Sequence, residues 1–214
     1  MITAVVAVRK GSQRVPNKNI KPFGNSNLLQ MKLDVLKQVD GIDEIVVNSD
    51  CDDMLDIGKT NGVKTHKREE YFASSDATNS DFHGHIGDVT ESDIIFLAPV
   101  CSPFVTIESH QDAIDYYCSG FDSVTSTESI KNHLWKDKKP LNYDLDNVPN
   151  SQDLPNIFKL TYGITIVDRN IMRYKKRVVG DNPGFYELND IESIDIDTEF
   201  DWKVAESLWR LRSE

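Results

Sequence analysis

The stretch Ile2–Asn19, "ITAVVAVRKGSQRVPNKN", joins an apolar run to a loop rich in positive charge. The run Ile2–Val8 is almost unbroken in its apolar character, which is typical of a strand buried on both faces of a parallel sheet. Residues 1–33 contain six Lys or Arg and no acid, although the whole chain has a formal charge of -11. Four of these cations follow the run at once, namely Arg9, Lys10, Arg14 and Lys18. We therefore expect a buried strand that ends in a basic loop, residues 8–19.

The composition is that of a globular protein with a hydrophobic core. The 214 residues are 39% hydrophobic and 28% charged, which predicts one domain over residues 1–214. The negative charge disfavours binding to nucleic acids and to membrane surfaces, because both are anionic. Three cysteines without CxxC spacing indicate reduced thiols and a cytoplasmic location. The run Ile2–Val8 is too short for a signal peptide or a membrane span.

Short β-rich runs alternate with amphipathic stretches along most of the chain. This alternation predicts a three-layer, Rossmann-like α/β fold, with a mostly parallel sheet and helices on both faces. Ligands bind such sheets at the carboxyl ends of the strands, where the basic loop would lie. The predicted strands are Thr3–Val8, Glu44–Asn48, Ile94–Leu97, Ser123–Ser126 and Gly163–Val167.

Two later segments depart from this alternation. Residues 131–160 are polar, contain three prolines and lack a helical period, so we predict a β-rich arm or lid. The chain closes with an amphipathic helix that Thr198 would cap. The first helix, near residue 28, would be capped by Asn25 or Ser26. The apolar face predicted for the last helix consists of Phe200, Val204, Leu208 and Leu211.

The basic loop has the composition of a site for a polyanion. Gly11 permits a close turn around a ligand, and Pro16 restrains the loop. Backbone N–H groups together with Arg and Lys side chains can surround phosphates. The loop matches neither the GK[ST] nor the GxGxxG pattern. Taken alone, such a charge cluster is more often a solvated surface loop.

A second motif, "SIDIDTEFD" at Ser193–Asp201, lies near the C-terminus. In an extended backbone Asp195 and Asp197 project to the same side, because side chains alternate between the two faces. Two neighbouring carboxylates repel each other unless a cation lies beside them, and Mg²⁺ takes oxygen ligands and bridges to phosphates. The alternative is an acidic strand end at the surface. Together, the basic loop and this DxD segment (residues 195–197) indicate phosphoryl or nucleotidyl transfer.

These stretches resemble the acylneuraminate cytidylyltransferases, or CMP-sialic acid synthetases. "AVVAVRKGSQRVPNKN" is similar to the family's signature loop, PARxGSKRxPxKN. "LAPVCSPF" is similar to its LQPTSPL, and "SQDLPNIFKLTYGITIV" to its RQDLPxxYxxNGAIYI. "ESIDIDTEFDWKVAE" is close to its metal-binding end, so the resemblance covers nearly the whole chain.

The resemblance implies a nucleotidyltransferase fold and the transfer of CMP from CTP to an acidic 2-keto sugar. The anomeric hydroxyl of a sialic-acid-like nonulosonic acid would attack the α-phosphate, and pyrophosphate would leave with the help of Mg²⁺. Residues 131–160 would be a dimerisation arm, which implies a homodimer. The alternatives are a catalytically silent nucleotide-binding homologue and a nucleotidyltransferase for another acidic sugar such as Kdo. The "GSQRVPNKN" loop favours the sialate branch over the Kdo branch.

The same resemblance implies roles for individual residues. Arg9 and Lys18 would be catalytic, and Asp195 and Asp197 would bind the metal. The nucleotide would be held by Arg9, Gly11, Ser12, Arg14, Lys18, Asn19 and Arg68.

The departures from the family's pattern concern the sugar side and the arm. Ala98 stands where the family has Gln, and "PVCSP" has one residue more than PTSP. Ser151 replaces the Arg of RQDLP, and Tyr162 replaces the Asn of NGAIYI. The residues expected on the sugar side are Ala98, Gln152 and Tyr162. The carboxylates and the basic loop are intact, so the nucleotide half of the interpretation has the stronger sequence support.

Overall fold

The computed structural model describes residues 1–213, and within them a seven-stranded sheet forms the centre of the molecule. Two short ribbons, β2–β3 and β8–β9, lie outside it. In chain order the strands are β1 (Ile2–Ala7), β2 (Pro22–Phe23), β3 (Ser26–Asn27), β4 (Glu44–Ser49), β5 (Lys64–Lys67), β6 (Ile94–Leu97), β7 (Ser123–Ile130), β8 (Trp135–Lys136), β9 (Lys139–Pro140), β10 (Ile157–Asp168) and β11 (Pro183–Glu187).

The central sheet has the strand order β11–β7–β10–β6–β1–β4–β5. Strand β10 runs antiparallel to both of its neighbours, and the other adjacent pairs are parallel. Strand β1 therefore lies inside the sheet, with Val5 paired to Val46 on one side and to Leu97 on the other. The prediction of a mostly parallel sheet is confirmed.

Helices cover both faces of this sheet. Val5 belongs to a smaller core beneath α4, whereas its neighbours Ala4 and Val6 face a larger core on the opposite side. Side chains of α1, α2, α5 and α6 contribute to the larger core, which confirms the three-layer fold. The α-helices in residues 1–213 are α1 (Leu28–Leu36), α2 (Asp52–Thr60), α3 (Glu70–Ala73), α4 (Asn79–Val89), α5 (Ile107–Cys118) and α6 (Glu199–Ser213), and a π-helical turn spans Ile171–Lys175.

The two predicted helix caps have different outcomes. The hydroxyl of Thr198 accepts the N–H of Asp201, so the predicted cap of α6 is confirmed. The predicted cap of α1 at Asn25 or Ser26 is wrong, because the Oδ1 of Asn27 accepts the N–H of Gln30. The ribbon β2–β3 occupies the preceding residues and moves the helix start to Leu28.

Helix α6 faces the core with a different stripe from the one predicted. Trp202 is 2% exposed and Ala205 is fully buried, and the Trp202 ring packs edge-on against Phe23 at 5.2 Å. Phe200 and Leu211, in contrast, are 73% and 71% exposed. The helix carries two apolar stripes, and its period cannot tell which of them meets the sheet. The prediction is therefore wrong for Phe200, Val204 and Leu211, whereas Leu208 does pack against the core.

The arm contains less strand than predicted. Between the end of β7 at Ile130 and the start of β10 at Ile157, it forms the ribbon β8–β9 and a 3₁₀ turn at Ser151–Asp153. Residues 157–160 belong to β10. The arm exposes several large apolar side chains, namely Trp135, Leu141, Leu145 and Val148.

Among residues 1–213, no helix is long and apolar enough to cross a membrane.

Candidate active site

The basic loop and the DxD segment meet at the carboxyl ends of β1 and β6. They border a cavity of about 370 Å³, which we call the loop cavity. Its third wall is the β6–α5 loop, residues 98–106. The lining residues are Ala7, Val8, Arg9, Ser12, Gln13, Arg14, Val15, Lys18, Asn19, Pro99, Val100, Cys101 and Asp197.

Lys18 connects the basic loop to the DxD segment. Its side chain is only 15% exposed, and its Nζ donates to the carbonyl oxygen of Ile196 at 2.5 Å. The same Nζ lies 3.8 Å from Oδ1 of Asp197, and Nη2 of Arg14 donates to that oxygen at 2.8 Å. The structure thus brings Arg14, Lys18 and Asp197 together across most of the chain length.

The DxD segment presents both carboxylates to one side. Ile196 is fully buried, and its N–H donates to the carbonyl oxygen of Cys101 at 2.9 Å. With Ile196 directed into the core, Asp195 and Asp197 both line a second cavity of about 560 Å³, which we call the acidic cavity. This arrangement is the one that the i, i+2 spacing predicts.

Asp195 has the environment expected of a cation ligand. Its Oδ1 is buried and has no hydrogen-bond partner among residues 1–213. Burial raises the pKa of Asp195 and the charge of Asp197 adds to this effect, while a hydrogen bond from Cys101 and the charge of Lys18 oppose it. Two adjacent carboxylates, one with an orphaned oxygen, suit a hard cation such as Mg²⁺. Within the described residues no group of three or more His, Cys, Asp or Glu could hold a metal, so phosphate and water oxygens would complete such a site.

The first half of the basic loop contains three of the predicted nucleotide-binding residues, Arg9, Gly11 and Ser12. The Nη1 of Arg9 donates to the carbonyl oxygens of Ala73 at 2.7 Å and Ser74 at 3.2 Å, which ties the loop to the end of α3. Gly11 has φ +81, a conformation that suits glycine, although a Cβ there would meet no atom within 4 Å. Ser12 is half-buried and lines the loop cavity.

Two buried side chains, those of Asn19 and Arg68, hold the backbone of the loop by hydrogen bonds. Asn19 is buried, and its Nδ2 donates to the carbonyl oxygen of Arg9 at 3.1 Å. Arg68 is also buried, and its Nη2 donates to the carbonyl oxygen of Val8. Burial lowers the pKa of Arg68 to about 10, and its guanidinium lies 5.4 Å from the ring centre of Phe82. Both predicted residues are therefore adjacent to the loop.

Comparison with known proteins identifies the family of this chain. The profile described as "Cytidylyltransferase" matches residues 3–186, which is most of the chain. The chain belongs to the cytidylyltransferase family.

The chain is also similar to individual known proteins. The chain is similar to a CMP-N,N'-diacetyllegionaminic acid synthase from Legionella pneumophila, with 29% identity, and covers 98% of that protein. It is 27% identical to an N-acylneuraminate cytidylyltransferase from Oncorhynchus mykiss over 96% of this chain. The match covers 49% of that protein, so the chain spans about half the length of the first curated relatives it matches. A CMP:2-keto-3-deoxy-manno-octonic acid synthetase shares the fold with a TM-score of 0.72, at 14% identity and 99% coverage of both chains.

The residues expected on the sugar side of this cytidylyltransferase are only partly brought together. Tyr162 has φ +56 and lies where the register of β10 against β7 shifts, between Leu160 and Thr165. It borders both the acidic cavity and a more apolar cavity of about 260 Å³. Ala98 is buried and lines that apolar cavity. Gln152 lies instead in the exposed 3₁₀ turn of the arm and lines none of these three cavities.

Cys101 and Glu192 support the site without a local sequence signal. Burial raises the pKa of the Cys101 thiol to about 12, and the charge of Asp195 adds to this effect, so the thiol is protonated at neutral pH. Glu192 is buried and accepts the N–H of Thr106 at 3.0 Å and the hydroxyl of Ser109 at 2.6 Å. It thereby fixes the chain just before the DxD segment to the start of α5. Both contacts join distant parts of the sequence, which a local pattern cannot reveal.

The buried charge of Asp195 gives a testable effect on stability. Because the pKa of Asp195 is raised on folding, the folded state holds the proton more tightly than the unfolded state. The free energy of unfolding therefore falls as the pH rises from the unfolded-state pKa through the folded-state pKa. We expect Asp195→Asn to raise the melting temperature at pH 7 in EDTA. Asp201→Asn is the matched control, since hydrogen bonds from Thr198 lower the pKa of Asp201 and its ionised form stabilises the fold above that pKa.

Thermal unfolding of both variants in EDTA measures this difference. Asp201→Asn should melt at a lower temperature than the wild type, with the opposite sign to Asp195→Asn. Equal losses in the two variants would show that the Asp195 carboxylate is not held at a cost to stability.

Proposed function

We propose that this protein transfers CMP from CTP to the anomeric hydroxyl of a sialic-acid-like nonulosonic acid and releases pyrophosphate. The observation that carries this proposal is the meeting of Lys18 and Arg14 with the DxD segment beside the loop cavity. The cations that would hold the triphosphate, Arg14 and Lys18, thus lie next to the carboxylates that would hold Mg²⁺. Membership of the cytidylyltransferase family supports CTP as the nucleotide.

The triphosphate would bind in the loop cavity, against the cations and backbone amides of the basic loop. Arg9 and Arg14 can make paired hydrogen bonds to phosphate oxygens, and Ser12 can donate its hydroxyl. Asn19 and Arg68 would act on the nucleoside side by holding the backbone of Arg9 and Val8 in place. Gly11 would allow the backbone to approach the phosphates closely.

Asp195 and Asp197 would hold Mg²⁺, which when bound neutralises charge on the phosphates and acts as a Lewis acid. The hydroxyl oxygen of the acceptor loses its proton to solvent and forms a new bond to the α-phosphorus, while the bond from that phosphorus to the bridging oxygen breaks and pyrophosphate leaves with the electron pair. Lys18 would stabilise the negative charge that builds up on the phosphate oxygens during this exchange. Its contact with the Ile196 carbonyl fixes the ammonium beside the carboxylates before substrate binds.

The acceptor would lie in the apolar cavity beside Tyr162 and Ala98. The acidic cavity is lined by five carboxylates and one lysine, so it would repel an acidic sugar, whereas no carboxylate of residues 1–213 lines the apolar cavity. Tyr162 lines both cavities and would shape the acceptor site. The names of the Legionella pneumophila and Oncorhynchus mykiss relatives, a CMP-N,N'-diacetyllegionaminic acid synthase and an N-acylneuraminate cytidylyltransferase, support a nonulosonic acid.

Two alternatives remain distinct from this proposal. A Kdo-type acceptor is consistent with the shared fold of the CMP:2-keto-3-deoxy-manno-octonic acid synthetase, but that likeness at 14% identity concerns the fold alone. A catalytically silent homologue is disfavoured by the intact contacts of Lys18 with Ile196 and Asp197.

We also propose a cytoplasmic location, where CTP is available and free thiols stay reduced.

The nucleotide assignment is tested by pyrophosphate release with a panel of nonulosonic acids, Mg²⁺ and each of the four nucleoside triphosphates. We expect release with CTP to exceed that with ATP, GTP or UTP. Lys18→Gln should lower kcat about a hundredfold, as for the loss of one donor to a developing oxyanion. Lys10→Gln is the control, because it removes the same charge from the basic loop but Lys10 does not line the loop cavity.

Equal rates with all four nucleotides would refute the base assignment. Comparable kcat values for wild type and Lys18→Gln would refute the role of Lys18. If only Kdo-type acids among the acceptors give turnover, the alternative acceptor class is correct.

We further propose a homodimer that forms partly through the arm. The arm exposes Trp135, Leu141, Leu145 and Val148, which a partner would cover. A closed two-fold assembly is the commonest arrangement of such surfaces. In a dimer the exposed Gln152 could approach the site of the partner copy. Light scattering at micromolar concentration should report twice the chain mass of 24.3 kDa, and a species of 24.3 kDa alone would contradict the dimer.

A further inference from the structure

Helix α1 buries a lysine in the middle of its apolar face. Lys32 is 3% exposed, which makes it nearly as buried as the leucines beside it. A lysine at such a position is rare, because desolvating an ammonium is costly unless it is paired. The core-facing residues of α1 are Leu28, Leu29, Lys32, Leu33 and Leu36.

Lys32 has no carboxylate partner within residues 1–213. Its Nζ donates to one acceptor, the backbone carbonyl oxygen of Ser102, at 3.2 Å. Burial lowers the pKa of Lys32 to about 8. The neighbouring His110 supplies no negative charge, and its ring is neutral, because burial and then the charge of Lys32 lower its pKa to about 3. The lysine is therefore held in the core by a single contact to a loop backbone.

That contact lies under the β6–α5 loop, which walls the loop cavity. The residues before Ser102 on this loop, Pro99 to Cys101, line the cavity directly. The carbonyl oxygen of Cys101 accepts the N–H of Ile196 at 2.9 Å, and Ile196 lies between the two carboxylates in the chain. Each step from Lys32 to the carboxylates is thus a direct hydrogen bond or a covalent link.

We infer that Lys32 is a positioning residue, whose ammonium anchors Ser102 and so holds Asp195 and Asp197 in register with Lys18. This inference rests on the proposed binding of CTP and a divalent cation at the DxD segment. Lys32 supports the segment from one side through Cys101, while Lys18 holds it from the other through the carbonyl of Ile196.

A stability role alone does not account for a lysine here. Replacing a buried ionic group with an apolar residue of similar volume is often neutral or stabilising. Methionine has nearly the length of the lysine side chain and adapts to irregular gaps in a core. A merely structural position in this apolar face would therefore be filled equally well by methionine.

The test compares Lys32→Met with Leu33→Ala, a control that removes buried apolar volume from the same helix but leaves the contact to Ser102. Electron paramagnetic resonance measures the binding of Mn²⁺ in the presence of CTP and without acceptor, so no turnover occurs. We expect Lys32→Met to melt no lower than the wild type and to bind Mn²⁺ about tenfold more weakly, as outer-shell substitutions do. Leu33→Ala should melt lower and bind Mn²⁺ like the wild type.

The outcomes separate this inference from the proposed function. Wild-type protein that binds no Mn²⁺ with CTP would overturn the proposed metal and nucleotide site, and the inference with it. Wild-type binding together with unchanged Mn²⁺ affinity in Lys32→Met would overturn the inference alone. The inference also fails if Lys32→Met melts below Leu33→Ala or does not fold, or if both variants lose Mn²⁺ affinity equally.

Discussion

The contact between the Lys18 ammonium and the Ile196 carbonyl joins the two ends of the chain at one edge of the sheet. It brings a loop from the positively charged start of the sequence to a carboxylate segment near its end. Strand β1 makes this meeting possible, because its position inside the sheet places the basic loop next to the β6–α5 loop. The overall negative charge of the chain would otherwise repel a triphosphate, and the loop supplies a local region of opposite sign.

The DxD segment owes its geometry to Ile196. Because this side chain is fully buried and its backbone is held by Cys101 and Lys18, both flanking carboxylates remain on the cavity side. Asp197 is paired with cations, whereas Asp195 keeps an oxygen without a partner among residues 1–213. The fold therefore holds one carboxylate in an unfavourable state, which is typical of a site organised for a ligand.

The sequence was informative where a local pattern determines structure. The apolar character of β1 indicates a strand buried on both faces, and the spacing of Asp195 and Asp197 predicts their common side. It was uninformative where the outcome depends on distant contacts. Which stripe of α6 meets the core depends on packing between Trp202 and Phe23, and no local pattern indicates the hydrogen bond from Ile196 to Cys101. The position of Lys32, in contrast, is visible in the sequence as a charged residue within an apolar helical face.

The proposed role of Asp197 as a ligand of Mg²⁺ is tested most directly by calorimetry of CTP binding to wild type and Asp197→Asn. Without a divalent cation, Asp197 would compete with the triphosphate for Arg14 and Lys18, which it contacts, so Asp197→Asn should bind CTP more tightly in EDTA. With Mg²⁺ the same variant would lack the proposed metal ligand and should bind CTP more weakly than wild type. A change of the same sign in both buffers would contradict the account.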